Sequence, residues 1–408
     1  MKILLINHYA GSKELGMEYR PYYLAKEWVK NGHNVTIIAS TFSHIRSKQP
    51  VTKKSTEEII IDGITYCWIK TSHYKGNGIG RIFNIFLFVF KLIIQARHFS
   101  KKYKPDAVIA SSTYPLDIYP ASKIAKKTKA KLIYEIHDLW PLSPMELGGY
   151  SKHHPFIKIM QIAENYAYKK SDIVISILPK TLEHAVSHGL KPEKWFHIPN
   201  GMDIAEWSIQ TEVKKEHYNT LNILKSKGYV LVGYIGGHAI SNALENIVQA
   251  AKLCINEKIH FVLVGDGTEK KSLIKMAKDY NCNNITFLPP IDKTSVPKLL
   301  DLFNFLYIGW QNKRLYRFGI SPNKLMDYMM AEKPIIHAVN AGNDIVKEAS
   351  CGISIEPESP QAIIKALDKL LDLSNDEKKM MGRTGKKYIN DNHDYKMLAK
   401  KFIDVINK

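Results

Sequence analysis

Residues 2–40, "KILLINHYAGSKELGMEYRPYYLAKEWVKNGHNVTIIAS", hold two short apolar runs on either side of an amphipathic one. "KILLIN" and "NVTIIAS" have strand length and β-branched content, and "YRPYYLAKEWVKNGH" between them predicts a helix closed by Asn31-Gly32. A strand, a crossover helix and a second parallel strand form the right-handed unit that opens a doubly wound sheet. The alternation continues with strands predicted at "ITYCWI", "DAVIASS", "KLIYEIH", "DIVISI" and "WFHIPN". It restarts with "YVLVGYIGG", "IHFVLVGDG", "NITFLP", "FLYIGW", "KPIIHAV" and "GISIEP". The fold class is α/β, with two Rossmann-like doubly wound domains.

The 408 residues exceed the roughly 250–300 at which single cores divide. Residues 206–228, polar, charged and weakly periodic, separate the two series. Domains are therefore expected at 1–205 and 206–390, followed by a last helix in 391–408. Formal net charge is +19, which favours an anionic partner. The lysines are dispersed in pairs, with no interleaved aromatic array and no zinc spacing, so nucleic acid is not expected. Cys67, Cys254, Cys282 and Cys351 form no CxxC pair, as in a reducing compartment. "MKILLINHYAG" lacks a small-residue cleavage site and reads as a strand, so secretion is not expected. Residues 81–99, "RIFNIFLFVFKLIIQARHF", predict either a buried crossover helix or a helix inserted in a membrane interface, flanked by Arg81, Arg97, Lys101 and Lys102.

Three glycine-rich loops follow strands: "NHYAGSKELGMEYR" with Gly16, "GYIGGHAISNALEN" with Gly236, Gly237 and His238, and "LVGDGTEKK" with Gly265, Asp266 and Gly267. Such turns are expected to bring backbone N–H groups to phosphate or sugar oxygens. None fits GxGxxG or GxxxxGK[ST], which argues against a dinucleotide oxidoreductase and a P-loop ATPase. No Asp-x-Asp pair is present, so no metal is expected in the reaction. In "FGISPNKLMDYMMAEKP", residues 318–334, Ser321 is expected to cap a helix, with Pro322 at N1 and Lys324 near N3. A cation at that positive end is disfavoured unless an anion joins it. Asp327, one turn after Asn323, could accept hydrogen bonds from a ribose diol. "KLIYEIHDLWP" ends in His137 and Asp138, either a hydrogen-bonded pair closing a strand or a group orienting a substrate hydroxyl. His153-His154 and the "DNHD" at 391–394 read as surface features.

On these residues the chain resembles the retaining family-4 glycosyltransferases of GT-B fold, whose two domains face across a cleft. "GMEYRPYYLAKEWVKNGHNVTIIAS" is similar to the family's first helix and strand, "YEIHDLWP" to its His-Asp segment, and "IPNGMDIAEW" to its interdomain link. "FVLVGDGTEKKSLIKMAKDYNCNNITFLPPIDKTSVPKLL", through Pro289, follows its "lvGdGp" strand, helix and strand. The resemblance implies a nucleotide-sugar donor, usually a UDP-sugar, bound mainly by the C-terminal domain. It also implies an acceptor against the N-terminal domain, a last helix that crosses back to that domain, and front-face transfer aided by the departing diphosphate. Gly319 or Tyr316 stands where the family places the first of two glutamates, and Asp327 stands at the second. His238 and Ala243 replace a phosphate-binding Arg and Lys. Lys324 is then the expected replacement cation, with the helix start at Ser321, Pro322, Asn323 and Leu325 and with His238 or Arg317 as helpers. "SPNKL" resembles a branch of bacterial O-antigen and capsule enzymes, including fucosamine-type transferases, which act on lipid-linked acceptors at the cytoplasmic membrane face. A nucleotide-sugar 2-epimerase and a non-catalytic GT-B scaffold are the alternatives.

Overall fold

The computed structural model describes residues 1–76 and 78–408. They form two compact units: Met1–Gly201 with Tyr395–Lys408, and Met202–Asp394. The passage between units falls at 201/202 and 394/395 rather than at 205 and 390. The Met202 N–H donates to the His393 carbonyl (2.8 Å) and Met202 bridges Asp394, which ties the two crossing segments together within the second unit.

The first unit carries eight strands: β1 (Lys2–Ile6), β2 (Asn34–Ser40), β3 (Thr56–Ile61), β4 (Ile64–Ile69), β5 (Ala107–Ala110), β6 (Lys131–Ile136), β7 (Ile173–Ser176) and β8 (Trp195–His197). Their order is β3-β4-β2-β1-β5-β6-β7-β8, parallel except for β3 against β4. Edge strand β3 was not expected: only one of its faces is sheltered, and Glu57-Glu58 breaks the alternation. The predicted first helix spans Arg20–Lys30, and Gly32 supplies the left-handed turn after it (φ +81°). The C-terminal helix Tyr395–Asn407 lies on that helix, with Trp28 Nε1 donating to the Ala399 carbonyl (3.0 Å) and Tyr23 stacked on Tyr395.

The stretch at 81–99 lies within a 25-residue helix, Ile79–Tyr103. Ile85, Phe88, Leu92, Ala96 and Phe99 are buried, whereas Ile79, Phe83, Phe86, Phe90 and Ile94 are exposed. The exposed set recurs at i, i+4, i+7, i+11 and i+15, one continuous stripe of the helix. A wholly buried crossover is therefore corrected to a two-faced helix. By length and composition it could also cross a membrane.

The second unit has β9 (Val230–Ile235), β10 (Ile259–Val264), β11 (Ile285–Leu288), β12 (Phe305–Gly309), β13 (Ile335–Ala338) and β14 (Gly352–Ile355), all parallel in the order β11-β10-β9-β12-β13-β14. The polar stretch 206–228 is not a plain linker. It contains the helix Lys215–Ser226, held to the unit by buried His217 and Leu221. The "DNHD" segment is also not wholly superficial, since His393 is buried at the end of the helix Asn375–Asn392.

Candidate functional site

The second sheet reverses its direction of growth between β9 and β12, the point outside whose carboxyl ends open α/β sheets bind ligands. Lys324 reaches that point from the helix Asn323–Met330. Its Nζ donates to the Tyr234 hydroxyl (2.7 Å) and to Asn242 Oδ1 (2.8 Å), and a Cβ on Gly236 would lie 3.2 Å from it. Among the described residues no carboxylate pairs with it, and burial lowers its pKa to about 8. Asn323 and Asp327 share a face one turn apart. Burial raises the Asp327 carboxyl to about 6, against the opposing pull of Lys293.

Several expectations change here. Ser321 is not the cap: Pro322 holds that position with ψ 128° and no side-chain cap bond, so Lys324 stands at N2. Asn343 clamps the preceding backbone, accepting from the Ile320 N–H (2.8 Å) and donating to its carbonyl (3.1 Å), which delivers the chain extended. His238 is fully buried and both ring nitrogens lack a partner. Burial, assisted by Lys270, lowers its pKa to about 4, so it is neutral at pH 7 and adds no positive charge. Leu325 is a core residue that anchors the helix. Exposed Arg317 lies over the Phe318 ring and donates to the Arg314 carbonyl (2.6 Å). The Pro289 carbonyl accepts from His217 Nε2 (2.8 Å).

The glycine turns also do something other than expected. The N–H groups of Gly236, His238, Gly265 and Gly267 donate to Val264, Asp266, Leu288 and the Asp266 side chain, and Gly16 donates to Ser12. Only Gly237 of these keeps an N–H without a partner among the described residues. The glycines instead allow close packing: a Cβ on Gly265 would lie 1.9 Å from the Gly236 carbonyl oxygen, and one on Gly267 would lie 2.3 Å from that of His238. Positive charge at this edge therefore comes from Lys324, from the first N–H groups of its helix and from Lys270, whose Nζ donates to the Gly265 (2.6 Å) and Leu288 (2.9 Å) carbonyls, rather than from the N–H groups of the turns.

In the first unit the equivalent reversal lies between β1 and β5. His137 does not pair with Asp138. His137 Nε2 meets Glu135 Oε2 and Ser111 Oγ, each at 2.9 Å. Asp138 turns away to accept from the Leu139 N–H (2.9 Å), Ser143 Oγ and Trp140 Nε1, closing the turn before the helix Leu142–Glu146. Glu135 is the residue that sequence reasoning missed. Burial would raise its pKa, but Arg20 and His137 hold it down to about 2. Arg20, also fully buried, donates through Nε to Glu135 (2.9 Å) and through its other nitrogens to the Pro199 and Ile198 carbonyls. Glu135 lies in β6 and His137 just past its end, and a charge within that apolar strand was the available signal. Asp117 was missed too. It accepts from the Ser112 N–H (2.9 Å), and burial pushes it up to about 7.

Two Rossmann-like units, each with a polar cluster at its sheet-reversal point and each matching a glycosyltransferase family model, make the chain a glycosyltransferase of GT-B fold. Residues 16–206 match the model of Glycosyltransferase Family 4 and residues 222–388 that of Glycosyl transferases group 1, so the chain carries one domain of each. It is 26% identical over 312 residues to "Probable glycosyltransferase WbjE" of Pseudomonas aeruginosa, covering 73% of each chain. It is 24% identical over 278 residues to "Putative colanic acid biosynthesis glycosyl transferase WcaI" of Escherichia coli K12, covering 66% of this chain and 67% of that one. The crystal structure of Anabaena Alr3699/HepE in complex with UDP and glucose shares the fold, with TM-score 0.68, 16% identity and full coverage of both chains. So does WaaG, a glycosyltransferase involved in lipopolysaccharide biosynthesis, with TM-score 0.67, 15% identity and 99% of each chain.

Proposed function

We propose that this glycosyltransferase moves a sugar from a UDP-sugar, with retention of configuration, to a lipid-linked glycan acceptor in bacterial surface-polysaccharide assembly. The observation that carries the donor assignment is the Lys324 ammonium, largely enclosed, with neutral partners only, at the reversal point of the second sheet. A diphosphate supplies the missing countercharge, and Asp327 receives the ribose hydroxyls one turn further on. In front-face transfer the departing diphosphate takes the acceptor proton while Lys324 stabilises the charge left on it. HepE with UDP, and relatives named for colanic acid and lipopolysaccharide synthesis, support the substrate class. A fucosamine-type donor is the specific sugar we infer from "SPNKL".

The test is UDP release from a panel of UDP-sugars, with and without a lipid-linked acceptor, in buffer free of Mg2+ and Mn2+. Release that depends on acceptor and needs no added metal is expected. Sugar isomerisation without UDP release would establish an epimerase instead, and UDP-sugar binding with neither reaction a scaffold.

We further propose that the enzyme works at the cytoplasmic membrane face as a peripheral protein. Phe83 and Phe90, 59% and 60% exposed on the stripe of the helix Ile79–Tyr103, are its apolar anchors, backed by Arg97, Lys101 and Lys102. Phe83→Ser with Phe90→Ser is expected to release the protein from anionic vesicles in a sedimentation assay. Retained binding by a folded double variant would leave basic charge as the sole attachment.

A further inference from the structure

Glu164, in the middle of the helix Pro155–Lys170, is only 1% exposed. A buried carboxylate needs a positive partner or a full set of donors. Among the described residues no lysine or arginine pairs with it. Its Oε1 accepts from Tyr168 Oη (3.1 Å) and lies 2.8 Å from His184 Nε2, and its Oε2 accepts from Gln161 Nε2 (2.8 Å). His184 belongs to the helix Leu182–Ser187, and His188 follows one turn later. The two imidazoles lie 4.3 Å apart between centroids, and one ligand atom from each of Glu164, His184 and His188 lies within 4.8 Å of the others.

We infer that these three side chains bind a divalent transition-metal ion, Zn2+ by preference, with water as the fourth ligand, as a clamp between the helices that precede and follow β7. The donor set of two imidazoles and one carboxylate suits Zn2+ and excludes the oxygen-rich preference of Ca2+ and Mg2+. Ligands on a tetrahedral Zn2+, at about 2.0–2.2 Å from the ion, stand a little over 3 Å from one another. The Glu164–His184 pair is already near that spacing, and the His188 ligand atom lies within 4.8 Å of both.

The surroundings orient the ligands as metal sites require. His188 Nδ1 donates to the His184 carbonyl (2.8 Å), which leaves Nε2 as the basic nitrogen. Tyr168 donates to Oε1, the oxygen that also faces His184, with its ring against both imidazoles, and Gln161 holds Oε2. Bound Zn2+ replaces the proton shared by His184 and Glu164 and supplies the positive charge that the buried carboxylate lacks. The clamp joins secondary elements of the first unit only and takes no part in transfer.

The experiment titrates Zn2+ into chelator-stripped, tag-free full-length protein by calorimetry, with Co2+ as a spectroscopic substitute. One Zn2+ per chain and the intense visible absorption of tetrahedral Co2+ are expected. His188→Ala, at a half-buried position outside the core, should weaken Zn2+ at least tenfold and abolish the Co2+ band. The variant His153→Ala/His154→Ala, on the exposed histidine pair, should bind as wild type. Zn2+ should raise the thermal midpoint of wild type and not of His188→Ala. Absence of Zn2+ binding, equal binding by His188→Ala, or loss of binding in His153→Ala/His154→Ala would each overturn the assignment.

Discussion

Lys324→Ala is expected to weaken UDP binding by about 1.5–3 kcal/mol, the worth of hydrogen bonds to a charged group, or roughly 10- to 150-fold in Kd. The ammonium is held by Tyr234 and Asn242 through its own protons, so the free protein orients it before any ligand arrives. Its charge state gives a second readout. Burial lowers its pKa to about 8, so the lysine is charged below that pH and progressively neutral above it. Asp327 ionises above about 6. UDP affinity is therefore expected to peak between pH 6 and 8 and to fall on the alkaline side in wild type, while Lys324→Ala loses the alkaline limb. A lysine that only braced Tyr234 and Asn242 would behave differently: its removal would lower the thermal midpoint and leave calorimetric UDP affinity unchanged.

The strands were legible because both sheets are parallel and their central strands are buried on both faces, which makes them continuous apolar runs between turns. β2 and β4 coincide with their predicted spans, "NVTIIAS" and "ITYCWI". What escaped were elements with little to bury, such as β3 and the helix Lys215–Ser226. Lys324 was visible as an electrostatic misfit at a helix start, but its position shifted from N3 to N2 because Asn343, 23 residues from Ile320, fixes the approach. The His137 partner was misread for a similar reason. β6 ends at Ile136, so His137 and Asp138 lie in the bend after it, where His137 turns back onto Glu135 and Asp138 forward onto Leu139, Trp140 and Ser143. Arg20 carried no local signal, because its acceptors are supplied by residues 135, 198 and 199. The glycine turns show the opposite limit: their positions were clear, but whether an N–H faces a ligand or a neighbouring loop depends on strands paired at long range.

Arg20→Met is expected to destabilise the first unit by about 3–5 kcal/mol, the cost of stranding one member of a buried ion pair. Glu135 would remain fully buried among Ser111 and His137, with its strongest compensating charge gone. The pH dependence identifies the cause. In wild type the Glu135 pKa of about 2 lies below its unfolded value. Its contribution is therefore complete above the unfolded pKa and is lost as pH falls through that value toward 2. Without Arg20, burial raises the folded pKa above the unfolded one, so the variant's deficit should shrink as acid protonates Glu135. Urea midpoints measured from pH 7 down to pH 5 should converge between wild type and Arg20→Met. The double variant Arg20→Met/Glu135→Gln, which removes the stranded charge, should recover much of the loss at pH 7. Parallel midpoints over that range, or no recovery in the double variant, would mean that Arg20 acts through the Pro199 and Ile198 carbonyls instead. In that case its contribution is to hold the end of the first unit's chain through those carbonyls.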